Sequence, residues 1–230
     1  MSSNIKIGII GGSGMEDSSF ISVFNSKDVS TPYGKPSSQL IIGKITEVPV
    51  VILSRHGYGH LINPTNVNYR ANVAALKEEG CTHILAATAC GSLRERIAPG
   101  HFVFPDQFID RTTKRISTFF DGSDVRHVPM GNPFSSLIRS CLEKACKSLG
   151  FEYHNGGTVV TIEGPRFSSK AESMMFRSWG CDIINMSTVP EIVLARELDL
   201  QYQSIAMSTD YDCWHESEEE VTMEMIYNVM

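Results

Sequence analysis

The chain has 230 residues, 42% hydrophobic and 20% charged, with a formal net charge of −6. That length fits one large α/β domain or two small ones with a substantial core. The acidic balance excludes a general nucleic-acid or membrane-surface binder, which carries a basic face. The six cysteines (Cys81, Cys90, Cys141, Cys146, Cys181, Cys213) form no C-x-x-C pair. The N-terminus runs straight into a first strand, and no apolar run approaches ~18 residues. These features predict a reduced, cytoplasmic setting with no membrane partner.

The first element is the β-branched run Lys6–Ile10, which ends in Gly11-Gly12-Ser13-Gly14. Glycines there expose backbone N–H groups to an anion. The spacing matches neither G-x-x-x-x-G-K-[ST] nor G-x-G-x-x-G, and Asp28 follows too closely to serve as a dinucleotide ribose acid. Strand-like stretches at 39–42 and 48–54 follow, the second entering Arg55-His56-Gly57-Tyr58-Gly59-His60. A helix is predicted over 68–79, with Tyr69, Val73 and Leu76 on one face and a stop at Gly80. The strand 82–87 leads into Thr88-Ala89-Cys90-Gly91-Ser92, and 101–109 is strand-like. Residues 111–132 are polar and irregular, a candidate lid or interface.

Asn132-Pro133 reads as a helix start, with Phe134, Leu137, Ile138, Cys141, Leu142, Ala145 and Leu149 at helical spacing until Gly150. The strand 158–163 enters Gly164-Pro165-Arg166-Phe167-Ser168-Ser169, followed by a helix to about Trp179 and strands at 182–186 and 203–207 around a helix at 190–197. The last strand delivers Ser208-Thr209-Asp210-Tyr211-Asp212, and a helix is expected from Ser217. Alternating strands and helices predict one α/β domain with a central mixed sheet covered on both faces. Polar residues cluster at strand C-termini, where open α/β sheets place ligands.

Ser13, Arg55-His56, Thr88-Ala89, Met186-Ser187 and Asp210-x-Asp212 each lie at such an end. Hydroxyls, a guanidinium and glycine-exposed N–H groups suit a tetrahedral oxyanion without a metal. Glycines between His56 and His60 disfavour the helix that would pair them as metal ligands. Asp210 and Asp212 read either as a solvated turn or helix N-cap, or as acid chemistry and recognition of a donor-rich ligand such as an amino-purine. Phe167 either stacks on a flat ring or pins its loop to the core. No G-x-S-x-G elbow or base-paired cysteine supports a covalent nucleophile.

Six blocks fall in one family's order: Ile7-Gly-Ile-Ile-Gly-Gly-Ser-Gly, Arg55-His-Gly, Thr88-Ala-Cys-Gly-Ser, Thr161-Ile-Glu-Gly-Pro-Arg-Phe-Ser-Ser, Ile184-Asn-Met-Ser and Ser208-Thr-Asp-Tyr-Asp-Cys-Trp. Together they resemble the 5′-methylthioadenosine phosphorylases, the adenine-specific branch of the trimeric purine nucleoside phosphorylases. The resemblance implies a purine nucleoside phosphorylase-like α/β fold with a mixed sheet, and a homotrimer with sites near subunit interfaces. It also implies phosphorolysis of methylthioadenosine, with inorganic phosphate as co-substrate and no cofactor. By matching motif, Ser13, Arg55, His56, Thr88, Ala89 and Ser187 would hold phosphate. Met186 would contact the ribose, Phe167 and Ser168 the base, Asp210 purine N7 and Asp212 the 6-amino group. Met223 would lie near the 5′ pocket, and His127 would reach into a neighbour's 5′ pocket.

Two departures carry expectations. Ser13 and Ser187 stand where the family often has threonine. The family's chains also continue past Met230, so the resemblance implies a single domain lacking the C-terminal helical segment. Two alternatives are a broader adenosine phosphorylase and a non-catalytic purine- or phosphate-binding subunit.

Overall fold

The computed structural model describes residues 5–11 and 21–216, and beyond them positions 222, 224 and 229. Ser13, Met223 and most of the helix expected from Ser217 lie outside the described residues. Strand β1 (Ile7–Gly11) is followed by β2 (Ser22–Lys27), β3 (Leu40–Ile45), β4 (Val48–Ser54) and helix α1 (Tyr69–Glu78). Then come β5 (His83–Ser92), β6 (Phe102–Phe104), β7 (Gln107–Arg111) and α2 (Ser136–Leu149). The remainder is β8 (Tyr153–Asn155), β9 (Thr158–Ile162), α3 (Lys170–Ser178), β10 (Ile183–Asn185), α4 (Thr188–Glu197) and β11 (Gln201–Asp210).

The strands form one mixed sheet in the order β2-β3-β4-β1-β5-β10-β9-β7, from which β11 branches at β5 and continues to β6 and β8. The centre is parallel, β4-β1-β5-β11, with antiparallel pairing at β2-β3-β4 and β5-β10. Alternate residues of the central strands are buried on opposite faces. Ile10, Val51 and Leu53 join the main core with α1 and α4, while Ile9, Val50 and Ile52 pack in a separate cluster with Ile21. Both faces of the sheet centre are therefore apolar, as parallel strands require. Among the described residues no helix is long and apolar enough to cross a membrane.

Three expected boundaries move. The strand expected to end at 87 runs on through Thr88–Ser92 as β5. β11 pairs with it through Gly91, and β10 takes Gly91 and Ser92. The strand expected over 101–109 is split at Pro105 into β6 and β7, which join different neighbours. The N-cap of α2 is Ser135, whose hydroxyl accepts from the Ile138 N–H, and not Asn132. Much of that helix's expected apolar face is also not core: Ile138 and Cys146 are buried, but Leu137 and Leu149 are exposed. Pattern marks α2 as amphipathic but does not say what covers it.

Candidate active site

The cavity opens where β4, β5, β10 and β11 deliver their C-terminal residues, and encloses about 130 Å³. It gathers ten of the expected residues. Arg55, His56, Thr88, Ala89 and Ser187 line one end, and Phe167, Ser168, Met186, Asp210 and Asp212 the remainder. His127 does not line it and is exposed in the segment between β7 and α2.

Arg55 is 1% exposed and follows β4 directly. Its guanidinium is held edge-on by both oxygens of Glu191, through Nε to Oε1 and Nη2 to Oε2, and Nη1 donates to the Ala87 carbonyl at 2.9 Å. The Tyr202 hydroxyl donates to Glu191 Oε2 at 2.9 Å. Burial lowers the arginine's affinity for its proton, but Glu191 outweighs burial and the net shift is upward. Of five N–H groups, three are engaged among the described residues, by Glu191 and the Ala87 carbonyl.

Sequence reading missed Glu191 and Tyr202. The signal was present for the first: an acid three and four positions before the core residues Leu194 and Ala195 on an apolar helix must face inward and needs a cation.

Next to Arg55, the Thr88 and Ser187 hydroxyls lie 2.8 Å apart. Ser187 occupies the N-cap position of α4 but makes no capping bond. Asn185 takes that role. Its Oδ1 accepts from the N–H groups of Ser187 and Thr188 and from the Thr161 hydroxyl, and its amide donates to Thr188 Oγ1. The Ser187 hydroxyl is thereby left to the cavity.

His56 Nδ1 lies 2.8 Å from the Ile62 carbonyl, which fixes the proton on Nδ1 and leaves Nε2 as an acceptor. Its ring stacks on His60, another cavity residue that the motifs did not assign to the site. Burial first, then the Arg55 charge, lowers the His56 pKa to about 3. A histidine held neutral in the fold contributes stability that is present above ~6.5 and lost as pH falls toward 3, because the unfolded chain binds the proton more readily. Wild type therefore loses stability more steeply between these values than His56→Gln; parallel urea-midpoint curves would overturn this.

At the far end, Asp210 closes β11 with an Asx turn. Its Oδ1 accepts from the Asp212 N–H at 2.8 Å, and its Oδ2 from the Thr209 hydroxyl at 2.7 Å. Asp212 adopts φ 51°, which aspartate tolerates. The turn of the bland reading is real, but the carboxylates are buried rather than solvated, at 4% and 6% exposure. Among the described residues, Asp212 Oδ2 has no hydrogen-bond partner of good geometry, and neither do the hydroxyls of Ser168 and Ser173 beside it. Burial raises the Asp212 pKa against the opposing pull of Ser173, the Cys213 amide and Ser168. Two glycines make room for these groups. A Cβ on Gly91 would stand 3.0 Å from Asp210 Oδ1, and one on Gly164, at φ 69°, would meet Met186 Sδ at 2.5 Å.

An α/β chain whose strand ends bring an anion corner and a buried acid pair into one cavity has the makings of an enzyme for phosphorylated or phosphate-accepting small molecules. Residues 6–229 match the phosphorylase superfamily. An S-methyl-5′-thioadenosine phosphorylase from Danio rerio is 59% identical over 99% of this chain and 83% of its own length, and one from Xenopus tropicalis is 57% identical over 98% and 83%. The methylthioadenosine phosphorylase of Schistosoma mansoni, solved with adenine, superposes with a TM-score of 0.93 at 46% identity, covering 97% of this chain and 85% of that one. The chain belongs to the S-methyl-5′-thioadenosine phosphorylase family, as its six blocks implied.

Proposed function

We propose that the chain is a pentosyltransferase that cleaves 5′-methylthioadenosine with phosphate, giving adenine and 5-methylthioribose 1-phosphate. One observation carries this reading: a guanidinium with two N–H groups uncommitted among the described residues and a buried carboxylate pair share a single cavity. Phosphate sits against Arg55, the Thr88 and Ser187 hydroxyls and the Ala89 backbone, and the motif adds Ser13 to these groups. A hydroxyl of bound phosphate donates a hydrogen bond to His56 Nε2, and the proton stays on the phosphate oxygen because burial and Arg55 keep the imidazole neutral. Met186 packs on the ribose and Phe167 on the base.

A phosphate oxygen bonds to C1′ as the C1′–N9 bond breaks and its electron pair moves into the purine. Asp210 delivers a proton to N7, and the dianion offsets the developing positive charge on the sugar. The orphan oxygen of Asp212 needs a donor, and the 6-amino group supplies one. A 6-oxopurine would place an acceptor there and is rejected. No cofactor takes part.

The reading extends to one domain over 1–230 in a cytoplasmic homotrimer, with Met223 near the 5′ pocket and His127 reaching a neighbour's. A second substrate, adenosine, is favoured by the Schistosoma mansoni adenosine/methylthioadenosine phosphorylase, 44% identical in a variant solved with methylthioadenosine. The test is adenine release from methylthioadenosine, adenosine and inosine, with and without phosphate. Phosphate-dependent release from the first two but not from inosine is expected. Phosphate-independent release would mean a hydrolase, and binding without release a non-catalytic subunit.

A further inference from the structure

Arg115 lies in the irregular segment between β7 and α2, outside every motif and outside the cavity lining. Its side chain is nonetheless fully buried. Nη1 donates to the carbonyls of Met186 and Val189, each at 2.7 Å, and to the Tyr69 hydroxyl at 3.0 Å. Nη2 donates to the carbonyls of Glu163 at 2.6 Å and Ile162 at 3.3 Å, and Nε to Glu163 Oε1 at 3.2 Å. The Glu163 carboxylate also accepts from the N–H groups of Thr113 and Lys114 and from the Thr65 hydroxyl. Burial would raise its pKa, but these donors hold it down to about 2.

The carbonyls that this guanidinium collects belong to two different walls of the cavity. Those of residues 186 and 189 flank Ser187, at the anion end. Those of 162 and 163 end β9 and lead directly into Gly164–Ser168, the loop that carries Phe167 and Ser168. Those two walls are joined in the sheet only through the short β9–β10 pairing, Val159–Thr161 with Ile183–Asn185. Beyond it both chains turn away from the sheet, and Arg115 bridges them where the ladder stops. Only a planar fork with donors on several edges can do this; an ammonium has one nitrogen.

We infer that Arg115 is a positioning residue: it braces the base-side wall against the phosphate-side wall from behind, touching neither ligand. The segment expected as a lid or interface is, at this point, a strut. Its kinetic consequence rests on the phosphorylase reading, because the distance it holds is that between the attacking phosphate and the departing base. A displacement of about 1 Å there lowers turnover about 100-fold.

The test uses Arg115→Met and Arg115→Lys in the full chain, with two readouts. Hydrogen exchange without ligand should rise together at 162–168 and 186–189 in both variants, while the β5 amides keep wild-type rates. Activity should be counted per ligand-binding site, by titration with a tight nucleoside analogue. The expected kcat per site falls about 100-fold in Arg115→Met, and Arg115→Lys does not restore it. A purely structural role would lower the number of binding sites and leave kcat per site intact. Increased exchange confined to 112–118, or kcat per site within threefold of wild type, would overturn the inference. Should Arg115→Met not fold, Arg115→Lys, which keeps the buried charge, carries both readouts. If wild type shows no phosphate-dependent release, the phosphorylase reading falls, and the exchange pattern alone decides the role of Arg115.

Discussion

Asp210→Ala lowers kcat for adenine release by about 10²- to 10⁴-fold, the range spanned by loss of a positioned general acid, with little change in the KM for phosphate. The departing purine otherwise leaves as an anion beside a second buried carboxyl, that of Asp212. Asp210→Asn separates proton delivery from architecture. Its amide oxygen can still accept the Asp212 N–H that closes the Asx turn, so the loop survives, but it has no acidic proton. It should therefore lose nearly as much as the alanine variant while retaining nucleoside-induced thermal stabilisation. Steady-state kinetics with a folded-state check decides the matter. An Asp210→Asn enzyme within tenfold of wild type would mean that N7 takes its proton from elsewhere.

The second large effect lies out of sight of the substrate. Glu191→Ala strands the Arg55 guanidinium in the core, and breaking a buried pair on one side typically costs about 3–5 kcal/mol. Against a total of about 5–15 kcal/mol for a folded protein, that is enough to unfold much of the population on warming. Two further results distinguish this from a simple cavity effect. Arg55→Met/Glu191→Leu, which removes both charges, should recover most of the lost stability while failing to bind phosphate. Glu191→Gln should gain more in melting temperature from added phosphate than wild type does, because the anion supplies the missing counter-charge. Equal phosphate-induced shifts in Glu191→Gln and wild type would show that Arg55 does not contact the anion.

Much of this site was legible in the chain because its residues sit where apolar runs stop. Arg55, Thr88, Ser187 and Asp210 each follow a run of core residues, and a polar group there must face a ligand or a partner. Composition and periodicity also pointed to the mixed sheet and to the four α-helices α1 to α4. What stayed hidden depends on contacts between distant segments. Arg115 lies in a polar stretch with no periodicity, and its acceptors are backbone carbonyls, which leave no trace in residue types. Tyr202 looked like any core aromatic until Glu191 was seen beneath Arg55. The Asp210-x-Asp212 pair was ambiguous because the same spacing makes a surface Asx turn and a buried acid pair; burial decides between them, and burial is a property of the neighbours. Ser13 and Met223 fall outside the described residues, and their roles rest on motif alone.

The arrangement at the start of α4 separates two demands that elsewhere conflict. A serine at the head of a helix ordinarily folds back to satisfy the helix's own amides, and a hydroxyl so occupied is withdrawn from any guest. Here Asn185 serves the amides, so the Ser187 hydroxyl is left to the cavity without loosening the helix. Replacing Asn185 with an apolar residue would set these demands against each other. The helix, always present, would outbid a phosphate present only part of the time, and a change at a residue with no assigned ligand contact would read out as lost affinity in a protein of nearly normal fold.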